Sequence, residues 1–125
     1  MTLYVLTALG GAIGAALRYG IGRWAQDFPG QPGFPYGTLL INVSGCMVFG
    51  FLMGLLDKGH AIGPEQRTFI LVGVLGGYTT FSTFGFETYA FLRDGQLAAG
   101  LLNVGLQVVI GVLGVWPGAL AARLT

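Results

Sequence analysis

The chain has 125 residues, of which 54% are hydrophobic and 9% charged, with a mean hydropathy of +0.73. A soluble domain is typically about 25% charged, so an ordinary water-soluble globule, left with large bare apolar patches, is excluded and lipid is the fitting solvent. A net charge of +1 argues against a nucleic-acid role, 23 glycines without a Gly-X-Y period exclude collagen, and a single cysteine, Cys46, excludes an internal disulfide.

Crossing the hydrocarbon core takes about 20 apolar residues, and four such runs are expected, over about 2–21, 38–56, 66–92 and 97–120 of a single transmembrane domain, residues 1–125. The first begins without the basic residues of a signal peptide; its first basic residue is Arg18, at the far end. It is therefore expected to be a mature span. The loop GRWAQDFPGQPGFPYG follows, where Pro29, Pro32 and Pro35 cannot continue a helix. Its Trp24 and Tyr36 suit a membrane interface. The second span carries Asn42, with Thr38 one turn before it and Gly45 on the same side. The loop DKGHAIGPEQR contains His60, the only histidine, and places Pro64 to open the third span.

The third span is too long for a straight crossing. A helix over 66–92 would measure roughly 40 Å, against about 30 Å of hydrocarbon. Within it stands GGYTTFSTFGFE, and Gly76-Gly77 followed by β-branched Thr79-Thr80 is a poor helical stretch. A break is expected there, with its freed backbone groups facing protein, water or an ion. The alternative is a kinked helix whose hydroxyls bond back to its carbonyls. The turn RDGQ leads to the fourth span, where Asn103 and Gln107 share a face at i,i+4.

Amides inside spans often serve as glue between helices. Taken with the third-span hydroxyls, Asn42, Asn103 and Gln107 also read as a polar track. Arg18 and Glu87 are the ionisable residues within the spans, and such residues are functional candidates; snorkelling to the interface is the alternative for Arg18. Phe81 and Phe84 lie at i,i+3. They are either packing residues or ring edges, which carry positive potential and would attract a small anion. With four spans, Lys58, Arg67 and Arg123 lie on one side and Arg18, Arg23 and Arg93 on the other. Orientation follows Lys/Arg asymmetry, so an even balance predicts insertion both ways up.

The stretches GGAIGAALRYG, GTLLINVSG and GVLGGYTTFSTFGFE together resemble the Fluc (CrcB-type) fluoride channels over essentially the whole chain. The resemblance implies an all-α membrane protein of four transmembrane helices, the third broken near its middle, assembled as an antiparallel dual-topology homodimer in a bacterial inner membrane. It implies that Phe81 and Phe84 approach fluoride with their ring edges, that Asn42 stands beside them, and that Ser82 and Thr83 add hydroxyls near the path. It also implies that the main-chain carbonyls of Gly76 and Thr79, one set from each subunit, hold a structural sodium ion at the dimer centre. Arg18 and Glu87 match an arginine and an acidic residue of the family motifs. The fourth span differs, offering Asn103, Gln107 and Gly111 where the family often carries Tyr or Ser hydroxyls.

The implied function is passive fluoride export that relieves toxicity, with fluoride, membrane lipid and a second copy as partners and no enzymatic activity. The alternatives are a small dual-topology multidrug or cation exporter, which needs an acidic residue deep in a span, and a scaffold without transport, which leaves the polar track unexplained. No catalytic constellation is visible in the residues.

Overall fold

The structure is a computed structural model that describes residues 1–27, 30, 33–59 and 62–125. Pro29, Pro32 and His60 lie outside the described residues. The described chain is helical and without strands. Helix α1 spans Thr2–Gln26 and α2 spans Tyr36–Asp57. The third span, Pro64–Arg93, is divided into α3, residues 64–78, and α4, Phe81–Arg93. Helix α5 spans Leu97–Arg123. All four spans are long and apolar enough to cross a membrane.

The helix ends follow local chemistry. Helix α1 continues past Ile21 to Gln26, with Arg23 in its last turn, where a cation suits the helix dipole. Gln26 then folds the loop back. Its Nε2 donates to the Phe34 carbonyl at 2.8 Å, and its Oε1 accepts from Gly37 N–H at 3.2 Å. This seats the buried Phe34 ring 5.0 Å from Tyr36 and 6.2 Å from Phe91. Pro64 opens α3, and Gln66 Oε1 accepts from Gly63 N–H at 2.8 Å. Gly95, at φ 74°, ends α4 in a Schellman turn. Its N–H reaches the Leu92 carbonyl, and Gln96 N–H reaches that of Phe91. Lys58 Nζ donates to the Ala122 and Arg123 carbonyls at 3.2 and 3.3 Å, capping the negative end of α5.

Packing is backbone against backbone. Helix α1 lies on α3, and α2 lies on α5. A Cβ on Gly10 would stand 2.9 Å from Gly73 Cα, and one on Gly14 would stand 2.8 Å from Tyr78 N. A Cβ on Gly118 would likewise meet Phe51 N at 2.9 Å. Small residues permit such approach, and dispersion between close backbones holds membrane helices together. The i,i+4 glycine pairs Gly10–Gly14, Gly50–Gly54 and Gly73–Gly77 all fall at these contacts.

The buried face of α5 runs Gly100, Asn103, Gln107, Gly111, Gly114, Gly118, Ala122. Its only large members are the two amides. Thr68–Leu75 in α3 and Leu106–Ile110 in α5 are wound as wider π-type turns, a form that is uncommon and often found at functional sites. The second of them carries Gln107.

Candidate functional site

The third span loses its helix at Thr79 and Thr80, whose backbones are extended at φ −83°, ψ 159° and φ −152°, ψ 113°. In an unbroken helix the Thr80 N–H would bond the Gly76 carbonyl. Instead it donates to Asn42 Oδ1 at 2.9 Å, while Asn42 Nδ2 donates back to the Thr80 carbonyl at 3.0 Å. Arg18 Nη1 donates to the Thr79 carbonyl at 3.3 Å. Thr80 also caps α4, its Oγ1 accepting from Thr83 N–H at 3.3 Å and donating to Thr83 Oγ1 at 2.9 Å. The Thr79 and Thr80 groups of the break are thus held from α1 and α2, while the Gly76 carbonyl is left without its helical donor. Hydroxyl back-bonding coexists with it: Thr79 Oγ1 donates to the Leu75 carbonyl at 3.0 Å and Thr88 Oγ1 to that of Phe84 at 2.9 Å.

Polar side chains pair between the helices near the break. Asn42 Nδ2 donates to Gln107 Oε1 at 3.0 Å as well as to Thr80. Asn103 Nδ2 donates to Thr88 Oγ1 at 3.0 Å. Thr38 Oγ1 donates to Glu87 Oε1 at 2.6 Å, so the acidic residue of α4 is tied to the start of α2. Asn103 is 0% exposed and Gln107 8%. Asn103 Oδ1, Gln107 Nε2 and Glu87 Oε2 are buried without a hydrogen-bond partner.

Asn42, Gly76, Thr79, Phe81, Phe84 and Gln107 border one groove of about 490 Å³. Phe84 is 8% exposed and Phe81 81%, and the rings meet edge to face at 5.4 Å and 67°. Gly45 makes room for this geometry, since a Cβ there would collide with Thr79 Cγ2. Thr83 faces elsewhere. With Arg18, Arg23, Thr38 and Thr80 it lines a second cleft of about 320 Å³. Glu87 lines a third, of about 290 Å³, with Asp94. Ser82 is exposed, its Oγ 3.5 Å from Thr80 Oγ1. Asn103 borders none of these three.

A family model described as "CrcB-like protein, Camphor Resistance (CrcB)" matches residues 5–119. The chain belongs to the CrcB-like family. Proteins named fluoride-specific ion channel FluC are similar along nearly all of it. That of Solibacter usitatus is 47% identical over 120 residues, covering 96% of this chain and 98% of the relative. That of Rhizobium meliloti is 41% identical over 123 residues, covering 98% of each. That of Methylococcus capsulatus is 47% identical over 116 residues, and there the match covers 93% of this chain but 50% of the longer relative.

In this CrcB-like chain the break and the amides offer two kinds of chemistry side by side. Carbonyls released from helical bonding, Gly76 above all, have the chemistry that could hold a hard cation. The carboxamide NH2 of Gln107 is a donor suited to an anion. Thr88 bonds Asn103, and Ser44 makes a separate 2.8 Å contact between its Oγ and Tyr78 OH. Neither residue has a spacing signal in the sequence, because each acts on a residue of another helix or through a carbonyl.

Proposed function

We propose that this chain is the subunit of a fluoride-selective ion channel for passive fluoride export, working as an antiparallel homodimer in a bacterial inner membrane. The observation that carries the reading is Phe81. It lies near the middle of a membrane span, 81% exposed on the single chain, edge-on to buried Phe84 and next to the released backbone of the break. Polar backbone is not tolerated against lipid, so this face needs a protein or aqueous cover, and a second copy supplies it. Ring edges carry positive potential, and Gln107 Nε2 supplies an unpartnered amide donor on the same groove.

The name shared by relatives 41–47% identical supports fluoride as the ion. The three-against-three balance of basic residues supports insertion in both orientations. The exporter reading gains no such support, because Glu87 already accepts from Thr38 and stands apart from the Phe81 groove.

The carbonyls of Gly76 and Thr79 fit a structural sodium ion between subunits. Gly76 has lost its helical donor to Asn42, and the Thr79 oxygen, engaged once by Arg18, keeps a second lone pair. When bound, the cation would supply positive charge to these oxygens; Arg18 holds the Thr79 oxygen and Asn42 holds the Thr80 peptide that follows it. Liposomes loaded with fluoride and carrying the purified protein are expected to release it, and chloride-loaded liposomes to retain theirs. Retention of fluoride would overturn the reading.

A further inference from the structure

The orphaned amide atoms are not equivalent, and the difference is decided by the backbone. The Thr80 N–H can only donate and its carbonyl can only accept. Asn42, bonded to both, therefore has its Oδ1 and Nδ2 assigned without choice. Its Nδ2 has a second hydrogen, which goes to Gln107 and requires an oxygen there. Gln107 must present Oε1 to Asn42 and point Nε2 away. That Nε2 is a buried donor without a partner on a residue 8% exposed, and Gln107 borders the groove of Phe81 and Phe84. Native folds rarely leave such a donor bare, and one that is bare calls for a ligand.

Asn103, one turn earlier on the same buried face, is under no such compulsion. Its partner is the Thr88 hydroxyl, which both donates and accepts and whose hydrogen rotates freely. In the structure, Asn103 Nδ2 donates to Thr88 and the bare atom is the acceptor Oδ1. Turned over, Oδ1 would accept the Thr88 hydrogen now given to the Phe84 carbonyl, and the bare group would become NH2. The amide oxygen and NH2 are nearly the same size, so no repacking is needed.

Resting on the reading of this groove as an anion path, we propose that the broken backbone acts through Asn42 to fix Gln107 as a standing donor to the permeating anion. The helix break thus sets the polarity of the track as well as its shape.

The test combines transport with a spectroscopic readout. Fluoride efflux is measured from liposomes carrying wild type or Gln107→Met, which keeps size and removes both the free donor and the oxygen that Asn42 uses. Flux is expected to fall at least tenfold in the variant while it still elutes as the assembled protein. In detergent, the 15N side-chain amide resonance of Gln107 in the wild type is followed as sodium fluoride replaces sodium chloride at constant ionic strength. It is expected to shift, and this arm stands even if the variant fails to assemble. Wild-type efflux with Gln107→Met within twofold, or with a Gln107 resonance indifferent to fluoride, overturns the relay and leaves the channel intact. No efflux from wild type overturns the channel reading and the relay with it.

Discussion

The Asn42 carboxamide grips the Thr80 peptide from both ends, accepting from its N–H at 2.9 Å and donating to its carbonyl at 3.0 Å. One side chain of α2 thereby substitutes for the helical bonds that the third span gives up. Replacing it with Leu leaves both Thr80 groups without a partner, and each buried unsatisfied group costs about 1–3 kcal/mol. Asn42→Leu is expected to lower the melting temperature in detergent markedly and abolish fluoride flux. Asn42→Asp keeps the acceptor for Thr80 N–H but loses both donations and sets a carboxylate against the Thr80 carbonyl. It should melt between the wild type and Leu and still lose flux. An Asn42→Leu protein as stable as wild type would remove Asn42 from the support of the break.

Glycine packing gives a prediction within a single helix. A Cβ on Gly14 would collide with the α3 backbone around Val74 and Tyr78, whereas one on Gly11 meets nothing within 4 Å. Overpacking of a tight contact typically costs about 1–3 kcal/mol. Gly14→Ala should therefore reduce thermal stability and the yield of assembled protein. Gly11→Ala should be neutral or slightly stabilising, since Ala is favoured over Gly in a helix by about 1 kcal/mol. Equal effects at the two positions would show that α1 does not ride on α3 in this register.

The spans and the break follow from features that single residues carry. Apolar runs of sufficient length mark four crossings, and Gly76-Gly77 before Thr79-Thr80 marks where a helix is weakest. The shared face of Asn103 and Gln107 follows from their spacing and is buried as one stripe. What pattern could not supply is of two kinds. The π-type turns at Thr68–Leu75 and Leu106–Ile110 are matters of backbone register, with no residue type that announces them. The bonds from Arg18 to Thr79, from Thr38 to Glu87 and from Asn42 to Gln107 join residues far apart in sequence, so they appear only once the helices are assembled. Helix α1 outruns its hydrophobic stretch for a related reason: Gly22 to Gln26 need not be apolar to stay helical once outside the hydrocarbon.

Sodium supplies a linkage prediction. If the carbonyls of Gly76 and Thr79 hold the ion, folded dimer binds it and unfolded chain does not. The melting temperature should then rise with sodium concentration and fall when sodium is replaced by a bulky organic cation at equal ionic strength. Thr79 places its methyl against Gly45 and its hydroxyl on the Leu75 carbonyl, so the side chain serves the backbone shape. Thr79→Ser keeps the hydroxyl and should preserve the sodium dependence. A melting temperature indifferent to the cation would remove the sodium site.

Orientation can be tested apart from transport. The even split of Lys58, Arg67 and Arg123 against Arg18, Arg23 and Arg93 predicts that a C-terminal tag is reachable from both sides of the membrane. Adding two or three lysines to the loop after α2 should bias insertion and lower flux, because antiparallel partners become scarce. Co-expression with a chain biased the other way should restore it. Labelling of the unmodified protein from one side alone would exclude dual topology.

The phenylalanine pair separates packing from permeation most cleanly, because the two rings differ in burial while sharing one proposed role. Phe84 is 8% exposed and Phe81 81%. Were they packing residues only, Phe84→Ile would cost up to about 1.5 kcal/mol, as volume-similar apolar swaps do. Phe81→Ile would then cost little on the single chain, and flux would survive in both. An anion path predicts a different pattern. Ile fills space but has no quadrupole, so both substitutions should cut fluoride efflux strongly, whatever their unequal effects on stability. The rings meet edge to face at 5.4 Å, so losing either also removes the contact that orients the other. The double variant should then lose less than the product of the single losses. Efflux from liposomes, with assembly checked by size exclusion, reads both quantities. Normal flux in Phe81→Ile and Phe84→Ile proteins that elute as dimers would return the two rings to packing.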